Sequence, residues 1–200
     1  MIPAGYLLKR ASPPPDWLKT GTSHVTDVCS LADCVNDNIV DVQSAWQHNA
    51  FGLANDPGTL WNLASEKRAE LCGAILFYYE AYEQEIESDG WSFGEWRPLS
   101  DAPSASVATE IIRPTSSRLL GYDVAVFGDF LEHSPLSCNS VADKLPVNEY
   151  CLFNELSDAV AAINTGGFGG GCEEGIYKIF SVSVVGDAHA AVTDQSSSSS

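Results

Sequence analysis

Hydrophobic and polar positions along the chain follow two different periods, and these periods predict the elements. Runs or period-two alternation of apolar, β-branched and aromatic residues predict strands. They lie at 4–9, 24–30, 74–87, 107–112, 122–127, 149–153 and 176–185. The last of these, IYKIFSVSVV, is the clearest strand pattern in the chain.

Apolar positions with a spacing of three and four predict the helices. One helix is expected from the Ser30–Asp33 start signal to Leu53, and a second from Asp56-Pro57, an N-cap followed by proline, to Gly73. Two short helices are expected at 137–145, closed by proline, and at 159–163. A turn is expected around 114–121.

The order of these elements predicts the fold class. Helices and strands alternate irregularly and without a repeat, which favours an α+β domain with a mixed or mainly antiparallel sheet and packed helices. With 200 residues, 44% of them hydrophobic, the chain is long enough for one packed core. We therefore expect one domain at 1–186 and a disordered serine-rich tail at 187–200, which ends in DQSSSSS.

Cysteine usage and the lack of long apolar segments predict a compartment. The start of the chain does not resemble an export signal, and its longest apolar run is far shorter than the roughly 20 residues that span a bilayer. Its six cysteines are spread widely, so reduced thiols in the cytoplasm are expected. Because Cys29 and Cys34 have no second close cysteine pair, neither a metal nor another cofactor is predicted.

Charge is the strongest global bias of the sequence. There are 27 acidic and 10 basic residues, which gives a formal net charge of −17. Such a field repels nucleic acid and anionic lipid and speeds the encounter with basic proteins. Between Thr20 and Trp96 there are 13 acidic residues and only two basic ones, Lys67 and Arg68, so the bias is uneven along the chain.

The glycine-rich segment TGGFGGGCEEG at 165–175 does not fit a phosphate-binding loop. Its glycines lack the spacing of a dinucleotide fingerprint, and isoleucine stands where a Walker loop requires lysine. The segment also leads from a helix into a strand, the reverse of those loops. It is interpreted as a flexible connection.

Two sets of residues are candidates for catalysis. His133 and Cys138 lie close together in HSPLSCNS and would suit a thiol hydrolase or transferase, although catalytic partners usually come from distant segments. The carboxylates between Glu80 and Asp89 would suit a carboxylate enzyme only if two of them faced each other across a cleft. The interpretation favoured here assigns no catalytic residue.

Aromatic residues among these carboxylates suggest a binding surface instead. Trp46, Trp61 and Phe77 are expected to fill the core, whereas aromatic residues beside charges and a turn are expected at the surface. Aromatic side chains supply affinity and carboxylates supply steering in complexes with basic proteins. The predicted partner-binding residues are Glu80, Tyr82, Glu83, Glu85, Glu87, Asp89, Trp91 and Trp96.

In FYYEAYEQEIESDGW and HSPLSCNSVADKLP the chain resembles small cytoplasmic bacterial proteins, and its acidity is similar to that of immunity proteins paired with secreted toxins. This resemblance implies a non-enzymatic inhibitor that binds a basic toxin or effector domain. The alternatives are the cytoplasmic thiol or carboxylate enzyme, and a nucleic-acid mimic with a regular row of carboxylates. Binding of nucleic acid or of a membrane is not expected.

Overall fold

The computed structural model describes residues 1–18, 24–32, 34–35, 37–100, 110–127, 131–138, 140–169 and 172–186. Its strands are β1 (Ile2–Lys9), β2 (Ile75–Asp89), β3 (Arg97–Pro98), β4 (Ser117–Phe127), β5 (Leu131–His133) and β6 (Glu174–Val185). The helices are α1 (Pro57–Lys67), α2 (Leu156–Asn164) and a 3-10 helix at Ser140–Lys144. Among the described residues no helix has the length and apolar character needed to cross a membrane.

All the strands in the described ranges join one antiparallel sheet. Its order is β1-β2-β6-β4-β5, and β3 pairs with the far end of β2. With α1 and α2 this confirms the predicted α+β class and the mainly antiparallel sheet. The long strands β2 and β6 are central, and buried residues on them, such as Tyr79 and Phe180, belong to the hydrophobic core.

The pattern located several elements correctly. Strands at the predicted positions 4–9, 74–87, 122–127 and 176–185 are present, and α1 begins after the predicted cap, where Asp56 Oδ1 accepts from the Thr59 backbone N–H. The helix ends before Gly73, because Arg68 adopts the left-handed conformation that closes it. The predicted short helices correspond to the 3-10 helix and α2, and the expected turn at 114–121 is wrong from Ser117 onward, where β4 begins.

Three predicted elements are wrong, and a fourth is wrong in the part that the structure describes. No helix spans 30–53 in the part of that range that the structure describes; it consists of turns held by side chains such as Asp41, which caps the Gln43 and Ser44 N–H groups. The ranges 24–30 and 149–153 form no strand, only isolated bridges. Of the predicted strand 107–112, residues 107–109 lie outside the described residues and 110–112 are not strand. The predicted tail at 187–200 also lies outside them.

The sheet contains a repeat that the sequence interpretation missed. In β1 and in β4 a glycine with positive φ, Gly5 (+130°) and Gly121 (+153°), stands at an irregularity of the pairing. The next residue in each strand is a tyrosine whose backbone pairs with a loop: Tyr6 with Ala54, and Tyr122 with Phe153. The expectation of a chain without a repeat is therefore wrong.

An asparagine organises the loop in each copy. Asn49 Nδ2 donates to Ala4 O (2.8 Å) and Asn55 Oδ1 (2.9 Å), and its Oδ1 accepts from the Phe51 and Leu53 N–H groups. Asn148 makes the corresponding bonds to Leu120 O, Asn154 Oδ1, and the Tyr150 and Leu152 N–H groups. The two loops read NAFGLAN and NEYCLFN and lead directly into α1 and α2.

The pairing relates the two copies by a pseudo-two-fold axis. Gly5 pairs with Tyr79 in β2, Gly121 pairs with Val182 in β6, and Tyr79 and Val182 pair with each other. The unit β1-loop-α1-β2 thus matches β4-loop-α2-β6 across the centre of the sheet. The first copy of the repeat contains the predicted binding segment, at the end of β2.

Candidate functional site

The predicted binding segment, Glu80 to Trp96, forms the distal half of β2 and the turn that leads into β3. The pairing of β2 with β6 is irregular between Ala81 and Glu85, and it resumes from Glu85 with Lys178 to Asp89 with Glu174. Antiparallel pairing of Glu85 with Arg97 then makes β2 and β3 a hairpin. The structure therefore brings the predicted residues onto one hairpin, but in different environments.

Glu85 is not a surface residue, and its predicted role in partner binding is corrected. Its side chain is 0% exposed and lies 3.1 Å from the buried Lys178 ammonium and 3.0 Å from Arg97 Nε. Burial acts to raise the pKa of this carboxyl, but the hydrogen bond from Ser100 and the Lys178 charge outweigh it and hold the pKa below its usual value. Glu85 is part of the internal ionic structure of the sheet.

Glu80 and Tyr82 are half-buried. Glu80 forms an ion pair with Arg113 and accepts a hydrogen bond from the Tyr78 hydroxyl. Tyr82 contacts the Trp96 ring edge-to-face with 5.8 Å between centroids, and Trp96 Nε1 donates to Asn164 Oδ1 at 2.8 Å. Trp96 thus links the hairpin to the C-terminal end of α2, and Glu80 and Tyr82 offer only part of their surface.

The turn of the hairpin exposes the largest apolar group of the segment. Asp89 Oδ1 accepts from the Trp91 and Ser92 N–H groups at 2.9 and 2.7 Å, and these bonds lower the pKa of Asp89. They fix the turn that places Trp91 outward with 84% of its surface exposed. The carboxylates of Glu83, Glu87 and Glu95 are also exposed on this hairpin.

Behind Trp91 lies a cavity of about 360 Å³ between the hairpin turn and the end of α2. Its lining includes Phe93, Ile163, Thr165 and Gly169. The described part of the glycine-rich segment thus forms one wall, and Phe168 anchors it by packing edge-to-face against Phe93 and Phe153. The interpretation as a helix-to-strand connection is confirmed, since the segment joins α2 to β6.

The core assignments of the other aromatic residues hold in part. Phe77 is buried and Trp61 packs partly against the core. Trp46 is corrected: it is 83% exposed, because residues 42–46 form a turn in which Trp46 has a positive φ of 57°. The Trp46 side chain therefore lies at the surface and not in the core, where the predicted helix would have placed it.

The prediction of uniformly reduced cysteines is wrong. Cys34 and Cys138 form a disulfide across a sequence separation of 104 residues. Cys138 is therefore not the thiol nucleophile weighed from HSPLSCNS; its partner is Cys34, and His133 Nδ1 lies 3.3 Å from Cys34 Sγ. The neighbouring His133 and Cys138 in HSPLSCNS were the only signal of this cluster, because nothing in the sequence points to Cys34 as the partner.

The buried cysteines are poor nucleophiles. Burial raises the pKa of Cys29 and of Cys151 to about 12, and that of Cys172 to about 11. These three groups are therefore neutral thiols near pH 7 and pack as small hydrophobic side chains.

The chain matches no family model, no curated protein and no solved structure.

Proposed function

We propose that the protein is an acidic protein-binding module, an immunity-like inhibitor that docks on a basic toxin or effector domain. The proposed contact is the acidic hairpin surface, defined by the exposed side chains of Glu83, Glu87, Asp89, Trp91 and Glu95. A cytoplasmic location is part of the proposal, and it requires Cys34 and Cys138 to be reduced there, because disulfides seldom persist in the reducing cytosol. The observation that carries it is Trp91, exposed on a fixed turn among carboxylates.

Tryptophan is the residue that most often dominates the energy of a protein interface. An exposed tryptophan on a rigid turn loses little conformational entropy when it enters a partner's pocket. The Asp89 hydrogen bonds hold the turn, and Phe93 of the same turn packs on Tyr177 in the core at 5.1 Å between ring centroids. These contacts favour Trp91 as a preformed anchor.

The charge of the molecule supports a basic partner. A net charge of −17 attracts a cationic surface over a Debye length of about 8–10 Å at physiological salt. On the hairpin itself Arg97 lies near Glu87, at 3.7 Å, and is also engaged by the buried Glu85. Because Glu85 is buried, its carboxylate is missing from the regular exposed row that a nucleic-acid mimic needs. A basic toxin or effector domain is therefore favoured as the partner over a nucleic-acid-binding protein.

The proposal is tested by mixing the protein with the proteins encoded by the genes adjacent to its own, basic ones first, and measuring association at several salt concentrations. We expect a complex whose association rate falls about tenfold or more between low and physiological salt. Trp91→Ala should weaken the complex by about 2 kcal/mol or more, roughly 30-fold, mainly through faster dissociation.

Matched variants separate the hairpin from general acidity. Trp46→Ala removes an equally exposed tryptophan from outside the hairpin and should leave affinity unchanged. A triple variant Glu83→Gln, Glu87→Gln, Glu95→Gln should slow association more than Glu66→Gln, Glu70→Gln, Asp143→Asn, although both remove three exposed charges. Absence of a complex, or equal effects of the two triple variants, would overturn the proposed surface.

A further inference from the structure

Three chain segments converge at the Cys34–Cys138 disulfide and bring a histidine and a carboxylate with them. The Cys34 Sγ, Cys138 Sγ and His133 Nδ1 atoms all lie within 4.8 Å of one another, and all three residues are half-buried. On its other side His133 places Nε2 3.6 Å from the Glu173 carboxylate. From this cluster we propose that the reduced form of the protein binds one Zn²⁺ through Cys34, Cys138 and His133.

The ligand types are those that zinc prefers. Cysteine thiolates and a histidine nitrogen bind Zn²⁺ at about 2.3 and 2.0 Å in a tetrahedron, which separates two sulfur ligands by about 3.8 Å. The Cα atoms of the two cysteines are 5.3 Å apart, so rotation of their side chains after reduction suffices to open that distance. The 3.3 Å distance between His133 Nδ1 and Cys34 Sγ is already close to the distance that separates two ligand atoms around a tetrahedral zinc ion.

Glu173 is placed as a partner of a metal-bound histidine. When Nδ1 of a histidine binds zinc, its Nε2–H commonly donates to a carboxylate that fixes the ring and its tautomer. The geometry of His133 and Glu173 matches that arrangement, with Nε2 facing Oε2. A disulfide alone requires neither group, so these two residues are the observation that points to a metal.

Buried polar groups hold the loops that carry Cys34, His133 and Cys138. The Asp123 carboxylate accepts from Ser30 Oγ and the Leu31 N–H at 2.8 Å each, and from Ser134 Oγ at 2.6 Å. Lys9 Nζ donates to the Ser30, Leu31 and Ala32 carbonyls. Both loops are thus tied to β1 and β4, which limits the reorganisation that metal binding requires.

Zinc and the disulfide exclude each other chemically. A phosphine reductant breaks the S–S bond by transferring two electrons and becomes a phosphine oxide with an oxygen from water, and the protein gains two thiols. Zinc then binds both sulfurs as thiolates, and their two protons pass to solvent. Three protein ligands leave the fourth position for water or an external ligand, as in zinc sites that stay open.

The site is tested with purified protein reduced by a phosphine and freed of the reagent without oxygen. We expect one equivalent of Zn²⁺ per chain, and with Co²⁺ the sulfur-to-cobalt charge-transfer band together with the intense visible bands of a tetrahedral ion. The oxidised protein should show neither. A cobalt spectrum without the sulfur band, or equal binding by the oxidised form, would overturn the site.

Variants assign the ligands. Cys34→Ser, Cys138→Ser and His133→Ala should each weaken Zn²⁺ binding by more than about 100-fold, and Glu173→Gln by about 10- to 100-fold with the tetrahedral cobalt spectrum retained. Cys72→Ser, at an exposed free cysteine, is the matched control and should leave binding unchanged. Circular dichroism checks that each variant is folded, and His133, 39% exposed, is the least disruptive of them. Unchanged affinity in folded His133→Ala or Cys34→Ser protein would contradict the assignment.

Discussion

At the scale of single residues, the molecule places charged groups inside its sheet and pairs them there. Glu85 and Lys178 are both buried and face each other at 3.1 Å, with Arg97 and Ser100 completing the carboxylate's contacts. An unpaired charge left in such a site costs more than the pair contributes. The predicted binding role of Glu85 fails for this reason: the sequence shows a carboxylate among others, and only the pairing with β6 shows the lysine opposite it.

Replacing Glu85 with Gln should destabilise the protein by about 3–5 kcal/mol at pH 7, because the buried Lys178 ammonium then loses the carboxylate charge that lies 3.1 Å away. The double variant Glu85→Gln, Lys178→Met should recover much of that loss. Urea unfolding measures both, and Glu83→Gln, at an exposed position on the same strand, should change the free energy of unfolding by less than about 0.5 kcal/mol.

The same pair sets a pH dependence with a defined sign. Since the pKa of folded Glu85 is held below its usual value, its contribution is present above the unfolded pKa of about 4.3 and is lost as pH falls through the lower folded value. The difference between the wild type and Glu85→Gln should therefore shrink only below about pH 4. A difference that is constant down to pH 3 would contradict the ion pair.

At the scale of elements, two glycines allow each repeat to close its loop against the sheet. A Cβ atom added at Gly5 would lie 2.6 Å from Ala54 O, and one added at Gly121 would lie 2.5 Å from Phe153 O. Both positions also have the positive φ that side chains disfavour. The loop backbone therefore approaches the strand as closely as it does because no side chain intervenes.

Gly121→Ala and Gly5→Ala should each destabilise the protein by about 3 kcal/mol or more, since the clash is with backbone that is held by the asparagine bonds. Gly73→Ala is the control: its φ is +72° but nothing lies within 4 Å of the added Cβ, so a loss of about 1 kcal/mol is expected. Thermal or urea unfolding compares the three. Equal losses would show that backbone strain, and not the close approach, decides the effect.

The elements also show how far the sequence could be interpreted. The start of α1 could be predicted because Asp56-Pro57 is a local helix-start signal. The strands β2 and β6 could be predicted because long runs and alternation of apolar residues are typical of strands. The helix expected at 30–53 was wrong because Val42 and Leu53 are buried as anchors of a loop while Trp46 between them is exposed, so apolar residues at helical spacing do not share one buried face here. The residue that organises this loop, Asn49, bonds to Ala4 in a strand 45 positions earlier, and periodicity does not report such contacts.

The candidate site was predictable only in part. Trp91 was assigned to the surface correctly from the turn that precedes it. The ion pair of Glu85 and the disulfide of Cys34 depend on residues about 90 and 100 positions away, so local chemistry could not identify them. The repeat, in contrast, leaves a trace in the sequence, N-x-x-x-L-x-N followed by an acidic residue and a helix, which becomes recognisable once the geometry of one copy is known.

At the scale of the whole molecule, the two copies of the repeat depend on each other. β2 and β6 pair from Phe77 with Val184 to Asp89 with Glu174, and this pairing joins residues 1–100 to residues 110–186. The core cluster mixes both halves, for example Phe51 packed edge-to-face on Phe180 at 5.8 Å. In the described structure β2 of the first half and β6 of the second half pair through their backbones. Each half therefore supplies hydrogen-bond partners to the inner strand of the other.

Cutting the chain between the halves should therefore leave them associated. With a protease site inserted within 101–109 and a Cys34→Ser, Cys138→Ser background that removes the covalent link, the cleaved halves should elute together in size-exclusion chromatography and separate only in denaturant. The uncleaved form of the same variant is the control for its elution volume. Two separate peaks in native buffer would mean that each copy folds alone, and the shared sheet would then be an association of independent units and not one cooperative structure.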